Sequence, residues 1–196
     1  MNQKLYNLKP ELMAKREKFK SYLTPLALES VGVNSAVQIL ANWMAGLGAL
    51  PDGLGLDEEG FFELLSYYFP TLIVDFFAPS KMTFDESRLP EREELERLLG
   101  NHQDKTQKVG NLWLKVLVAG LNGSDHLWED MGFDHRGELS LFIATFFPEL
   151  SVKNTQNMKW KKFIYKQMCI AEEIGYTCRA PSCEVCADYE NCFETI

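Results

Sequence analysis

Val109-Gly110-Asn111-Leu112-Trp113-Leu114-Lys115-Val116-Leu117-Val118-Ala119-Gly120-Leu121 decides the fold. Val109, Leu112, Trp113, Val116 and Leu117 recur at the spacing that lays an apolar stripe along one side of an α-helix, and Asn122-Gly123 then breaks the run. The pattern predicts a helix over about Lys105 to Leu121, central to the core. Asn111 and Lys115 interrupt what is otherwise the longest apolar stretch, so the run does not read as a bilayer span.

The same period continues on both sides. Upstream, helices are expected from Pro10 to about Leu23, with Pro10 in the first turn, and from an Asn34 cap through Val37, Leu40, Ala41, Met44 and Leu47 to a stop at Gly48. A third runs from the Asp57 cap to Phe69, with Glu58 and Glu59 in its first turn, where the helix dipole favours anions. Leu72 to Phe77 is short and apolar enough for a strand, yet no second run of that kind pairs with it. Pro90 to Leu99 reads as a mostly solvated helix with Gly100 beyond its end. Ser124 is the expected cap of a short turn through Trp128. Asp134 should begin a helix ending at Pro148, and Thr155 or Asn157 the last helix, which Gly175 closes.

The fold class is therefore all-α, a single compact helical domain with a cysteine-rich C-terminal loop. A weak repeat suggests two pseudo-symmetric helix-loop-helix units: Ala45-Gly46-Leu47 returns as Ala119-Gly120-Leu121, residues 55–60 as 132–137, and Phe69-Pro70 as Phe147-Pro148. The chain divides into a basic N-terminal helical segment (1–22), a helical body (23–150), and a basic helix with the cysteine motif (151–196). The first segment carries six basic and two acidic groups, the body eight and twenty. The whole is 46% hydrophobic with net charge -8, an ordinary globular composition. An acidic chain without a reading motif argues against nucleic acid, and Leu5, Leu8, Leu12 and Phe19 make too sparse a face for a membrane surface.

Four of five cysteines fall within fifteen residues as Cys178-x4-Cys183-x2-Cys186-x5-Cys192. Thiolates this close in sequence converge without long-range folding, so the segment reads as a metal or iron-sulfur loop. Met1 to Pro10 lacks the apolar core of a signal peptide, which argues for a reducing, cytoplasmic location and against two disulfides. A zinc ion at about 2.3 Å from each sulfur is usually held by two facing C-x2-C knuckles. Only Cys183 and Cys186 form one, and the wider gaps favour a cluster. Pro181 stiffens the first linker and lowers the entropy lost on closure.

The run Asn154-x3-Met158-Lys159-Trp160-Lys161-Lys162-Phe163, then Tyr165, Cys169 and Cys178-x-Ala180-Pro181-Ser182-Cys183-x2-Cys186-x2-Tyr189-x2-Cys192-Phe193, resembles the nitrogen fixation protein NifQ family. His126-Leu127-Trp128-Glu129-Asp130-Met131-Gly132 looks like the same family's pattern. The resemblance implies a molybdenum carrier. Such a protein binds a molybdenum-containing iron-sulfur cluster through the cysteine motif and delivers molybdenum for assembly of the nitrogenase iron-molybdenum cofactor. It also implies the partners: the cofactor-assembly scaffold, the nitrogenase iron protein and a molybdate source.

Cys178, Cys183, Cys186 and Cys192 are then the thiolate ligands, with Cys169 and His126 in reserve. Lys159, Lys161 and Lys162, in an acid-free run from Lys153 to Lys166, together with Arg179, supply a positive field toward an anionic cluster, molybdate or an acidic partner. A solvated helix face accounts for the same lysines. Cys169 reads first as a small buried hydrophobe and His126 as a cap or surface group, and His102 and His135 read as surface groups. The tryptophans and phenylalanines are read as core, and Glu91 to Glu96 as a salt-bridged face. No nucleophile elbow, P-loop or dinucleotide fingerprint appears, so the chain is not expected to be an enzyme. A zinc-stabilised interaction module and an electron-transfer iron-sulfur protein remain the alternatives.

Overall fold

The computed structural model describes residues 3–72 and 89–172. Among them the chain forms nine α-helices and no strand: α1 Gln3–Leu23, α2 Val33–Met44, α3 Glu58–Tyr68, α4 Leu89–Asn101, α5 Gly110–Leu121, α6 Leu127–Met131, α7 Arg136–Phe146, α8 Pro148–Lys153 and α9 Trp160–Ala171. The all-α single domain expected from periodicity is what folds. Of the ambiguous Leu72 to Phe77 run, only Leu72 lies within the described residues.

The central stripe behaves as its spacing requires. Val109, Leu112, Trp113, Val116 and Leu117 are all buried, and so are Leu114, Val118, Ala119 and Leu121, so α5 is enclosed on nearly every side. Around it packs an aromatic cluster. Trp113 meets Phe142 edge-on with centroids 5.4 Å apart, and Phe142 in turn lies 5.1 Å from Phe146. The indole N–H of Trp113 donates to the Tyr68 hydroxyl at 2.9 Å, and that hydroxyl donates to Val31 O at 2.8 Å. One polar chain thus ties α5 and α3 to the turn before α2, beside the aromatic cluster.

Several helix boundaries differ from the local reading. Pro10 lies within α1, which continues back to Gln3. A proline here removes one backbone hydrogen bond, and helix formers precede it. α2 begins at Val33 with Gly32, at φ 82, as its cap in place of Asn34. The Phe146 ring packs against that turn so closely that a Cβ at position 32 would come within 2.5 Å of it, so only glycine fits. α2 ends at Met44, before Gly48.

Asp57 caps α3 as expected, accepting from Gly60 N at 2.8 Å. α4 includes Gly100, and it is less solvated than expected: Arg92 and Glu96 pair at 2.9 Å on one side, while Leu95, Leu98 and Leu99 are buried on the other. α5 starts at Gly110, later than Lys105, because the Asp104 carboxylate accepts from Thr106 N at 2.9 Å and Gln107 Nε2 at 3.0 Å, holding that stretch in a turn.

The repeat has a structural echo at its Phe-Pro corners. Phe69 sits at φ -135, ψ 63 and Phe147 at φ -134, ψ 58. The preceding carbonyls accept from Leu28 N at 2.7 Å and Asp104 N at 2.9 Å respectively. At the loop aspartates the likeness stops. Asp57 caps its helix, whereas Asp134 meets Arg16 at 2.6 Å and Lys20 at 2.8 Å, both on α1. The cap of α7 is His135, whose Nδ1 accepts from Gly137 N at 3.1 Å.

Candidate metal centre

The path into the cysteine segment runs along α9. Trp160, Phe163, Ile164, Tyr165, Met168 and Cys169 form its buried side. The Trp160 indole N–H donates to Ser140 Oγ at 2.9 Å and fixes the helix on α7. Lys159 occupies the N-cap position, with Lys162 and Lys166 half-buried.

α9 starts at Trp160, beyond Thr155 and Asn157. The Asn154 side chain accepts from Met158 N and donates to Met158 O, both at 2.8 Å. Arg136 of α7 donates to Asn157 O at 2.7 Å and Met158 O at 3.0 Å. Asn157 adopts φ 52 inside this closed loop. Those carbonyls therefore serve Arg136 in place of a helical turn.

Lys161 does not stand free in a basic field. Its ammonium donates to Gly123 O and Asp125 O, each at 2.8 Å, and to the Asp130 carboxylate. Three N–H groups meet three acceptors. Asp130 is 2% exposed, and burial pushes its carboxyl above the ordinary range against the opposing pull of Lys161 and the Asp125 N–H. The sequence pattern marks Gly123 only as a helix breaker and assigns Asp130 no site role. The available signal was the position of Asp130 in the His126–Gly132 pattern.

His126 is the N-cap residue of α6, in place of Ser124, with its backbone N–H 3.3 Å from Glu129 Oε2 and an exposed side chain. His135 is an exposed cap. His102, expected at the surface, is buried: Nδ1 lies 2.8 Å from Leu98 O and is the N–H nitrogen, leaving Nε2 to accept from the Lys153 ammonium at 2.6 Å. α8 brings Lys153 over the end of α4, a contact no local pattern encodes. Lys153 and Lys161 are thus both engaged within the fold.

Cys169 is a free thiol at 4% exposure in the core, and three residues on Arg97 of α4 pairs with Glu172. Cys178, Cys183, Cys186, Cys192 and Arg179 lie outside the described residues. Among the described residues, no three His, Cys, Asp or Glu side chains gather as a metal-ion set, and no helix is long and apolar enough to cross a membrane.

Comparison with known proteins bears on the whole motif. The NifQ family model matches residues 35–194, a span that includes all four motif cysteines. The chain is 38% identical to Protein NifQ of Azotobacter vinelandii over 169 residues, covering 80% of this chain and 85% of that protein. It is 35% identical to the Protein NifQ homolog of Sinorhizobium fredii over 150 residues, 76% of this chain and 64% of the relative. With Protein NifQ of Klebsiella pneumoniae the identity is 46% over 70 residues, 36% of this chain and 42% of the other. No solved structure matches. The extent of the family match and the coverage of the Azotobacter protein make this chain a member of the NifQ family of nitrogen-fixation proteins.

Proposed function

We propose that this protein is a molybdenum carrier: it holds a molybdenum-containing iron-sulfur cluster on Cys178, Cys183, Cys186 and Cys192 and donates the molybdenum to assembly of the nitrogenase iron-molybdenum cofactor. The observation that supports this reading is a family match whose span, residues 35–194, takes in the cysteine motif. The donor set fits the cargo chemically, because four thiolates are soft ligands suited to iron-sulfur units. Molybdenum is cargo here, and the chain performs no turnover chemistry of its own. A site that delivers must hold less firmly than a structural one, which suits ligands drawn from a single terminal segment.

In this reading the protein works in the cytoplasm and meets a molybdate source, the cofactor-assembly scaffold and the nitrogenase iron protein. Lys159, Lys162 and Arg179 supply positive charge toward an anionic cargo or an acidic partner.

Metal and sulfide analysis of anaerobically purified protein tests the proposal. Iron, sulfide and molybdenum together are expected, and Cys→Ala at any of the four motif positions should remove most of them while the helical circular dichroism is kept. Zinc alone, pairing of those thiols with one another, or reversible redox cycling of an iron-sulfur unit without molybdenum would overturn it.

A further inference from the structure

We propose that Asp130 and Lys161 are positioning residues for the metal-binding segment, acting as a three-point lock that holds α9, the helix leading into the cysteines, against the loop 123–125 and α6. The metal part of this inference rests on the carrier reading; the lock itself rests on geometry.

The ammonium of Lys161 has every proton placed, on Gly123 O and Asp125 O at 2.8 Å and on the Asp130 carboxylate. Two of its acceptors come from the loop after α5 and the third from α6, so one side chain of α9 fixes both at once. The socket is shaped for the carboxylate. A Cβ on Gly123 would lie 2.2 Å from Asp130 Cγ, so that residue must be glycine for the acid to enter. The Asp130 backbone is fixed as well, its carbonyl accepting from Ala49 N at 2.9 Å, with no room for a Cβ on Gly48, 2.7 Å from the same oxygen.

Stability alone is a poor account of such a pair. Replacing a buried ion pair by apolar groups of similar size is often neutral or stabilising, whereas a directional, fully satisfied pair admits one register. What this register sets is the seating of α9 on the body. From Lys161 the helix runs on through Cys169 to Ala171, where Arg97 holds Glu172, and Cys178 follows Ala171 by seven residues.

A double-variant cycle in the full-length, anaerobically purified protein separates positioning from packing. Asp130→Asn, Lys161→Met and the pair together are compared for unfolding midpoint, peptide-resolved alkylation of Cys169, and the absorption and EPR spectra of the bound metal. Each single variant should lower the midpoint by leaving an uncompensated polar group, and the double variant, which still leaves the Gly123 and Asp125 carbonyls without the ammonium, should lose less than the sum of the two. In the double variant Cys169 should nevertheless be alkylated about tenfold faster, and the metal spectra should differ from wild type. Lys161→Arg, which keeps the charge but not the compact three-donor head, is the second variant; it should fold, and it too should show faster Cys169 alkylation and altered spectra. Wild-type Cys169 protection and wild-type spectra in Lys161→Arg and in a refolded double variant would overturn the proposal. Zinc alone in the wild type would sink the carrier reading, and Cys169 reactivity would still decide the lock.

Discussion

Removing one oxygen from the middle of the core, by Tyr68→Phe, tests the account of how α5 is held. The Tyr68 hydroxyl is fully buried and makes two hydrogen bonds, accepting from Trp113 Nε1 at 2.9 Å and donating to Val31 O at 2.8 Å. Phenylalanine keeps the ring and its contact with Trp113, centroids 5.8 Å apart, so neither a cavity nor an overpacked core follows. What changes is polar satisfaction. The Val31 bond contributes about 1 kcal/mol, and orphaning the Trp113 N–H inside the aromatic cluster costs about 1–3 kcal/mol, so the variant should lose about 3 kcal/mol. For a chain of this size that lowers the thermal midpoint by about 6–12 °C.

Guanidinium unfolding followed by tryptophan fluorescence and near-UV circular dichroism is the assay, with an unchanged slope expected. The loss should depend on pH at the alkaline end. Burial raises the Tyr68 phenol above its ordinary value of 10.0, only partly offset by the Trp113 hydrogen bond. Its folded pKa is raised, so the unfolded chain ionises first, and the stability that the protonated hydroxyl contributes falls as pH climbs past about 10. The gap between wild type and variant should narrow there. A loss below about 0.5 kcal/mol at neutral pH would mean that Trp113 finds another acceptor, and the polar chain would not be what anchors α5.

Two further outcomes follow from the same geometry. Asp134→Asn should destabilise at neutral pH: burial raises its carboxyl, but the hydrogen bonds and charges of Lys20 and Arg16 outweigh that and hold it below its ordinary 3.8. A depressed pKa contributes stability above the unfolded value and loses it on acidification, so melting curves of variant and wild type should converge below about pH 4; a constant gap would exclude the ion pairs as the cause. Cys169→Ala should keep the iron and sulfide content of wild type at a cost of about 1 kcal/mol, since a core thiol here is a small hydrophobe; loss of metal would return Cys169 to the ligand set.

Local pattern and tertiary contact divided the determination of this protein between them. The α5 stripe, the Asp57 cap and the α9 face followed from sequence because each depends on neighbours within a turn or two, where helical period and capping chemistry act. The metal-ligand expectation is of the same kind, read from four cysteines spanning fifteen residues, Cys178 to Cys192, which lie outside the described residues. Gly32 as a cap, Asp134 as a partner of α1, the burial of His102 under Lys153 and the closing of residues 154–158 by Arg136 were decided elsewhere in the chain. So was the diversion of Lys161 from a basic surface to Asp130, thirty-one positions away in sequence. Periodicity says which side of a helix is apolar, but which charge meets which across the body depends on the packing of whole helices, and that geometry exists only once the core has closed.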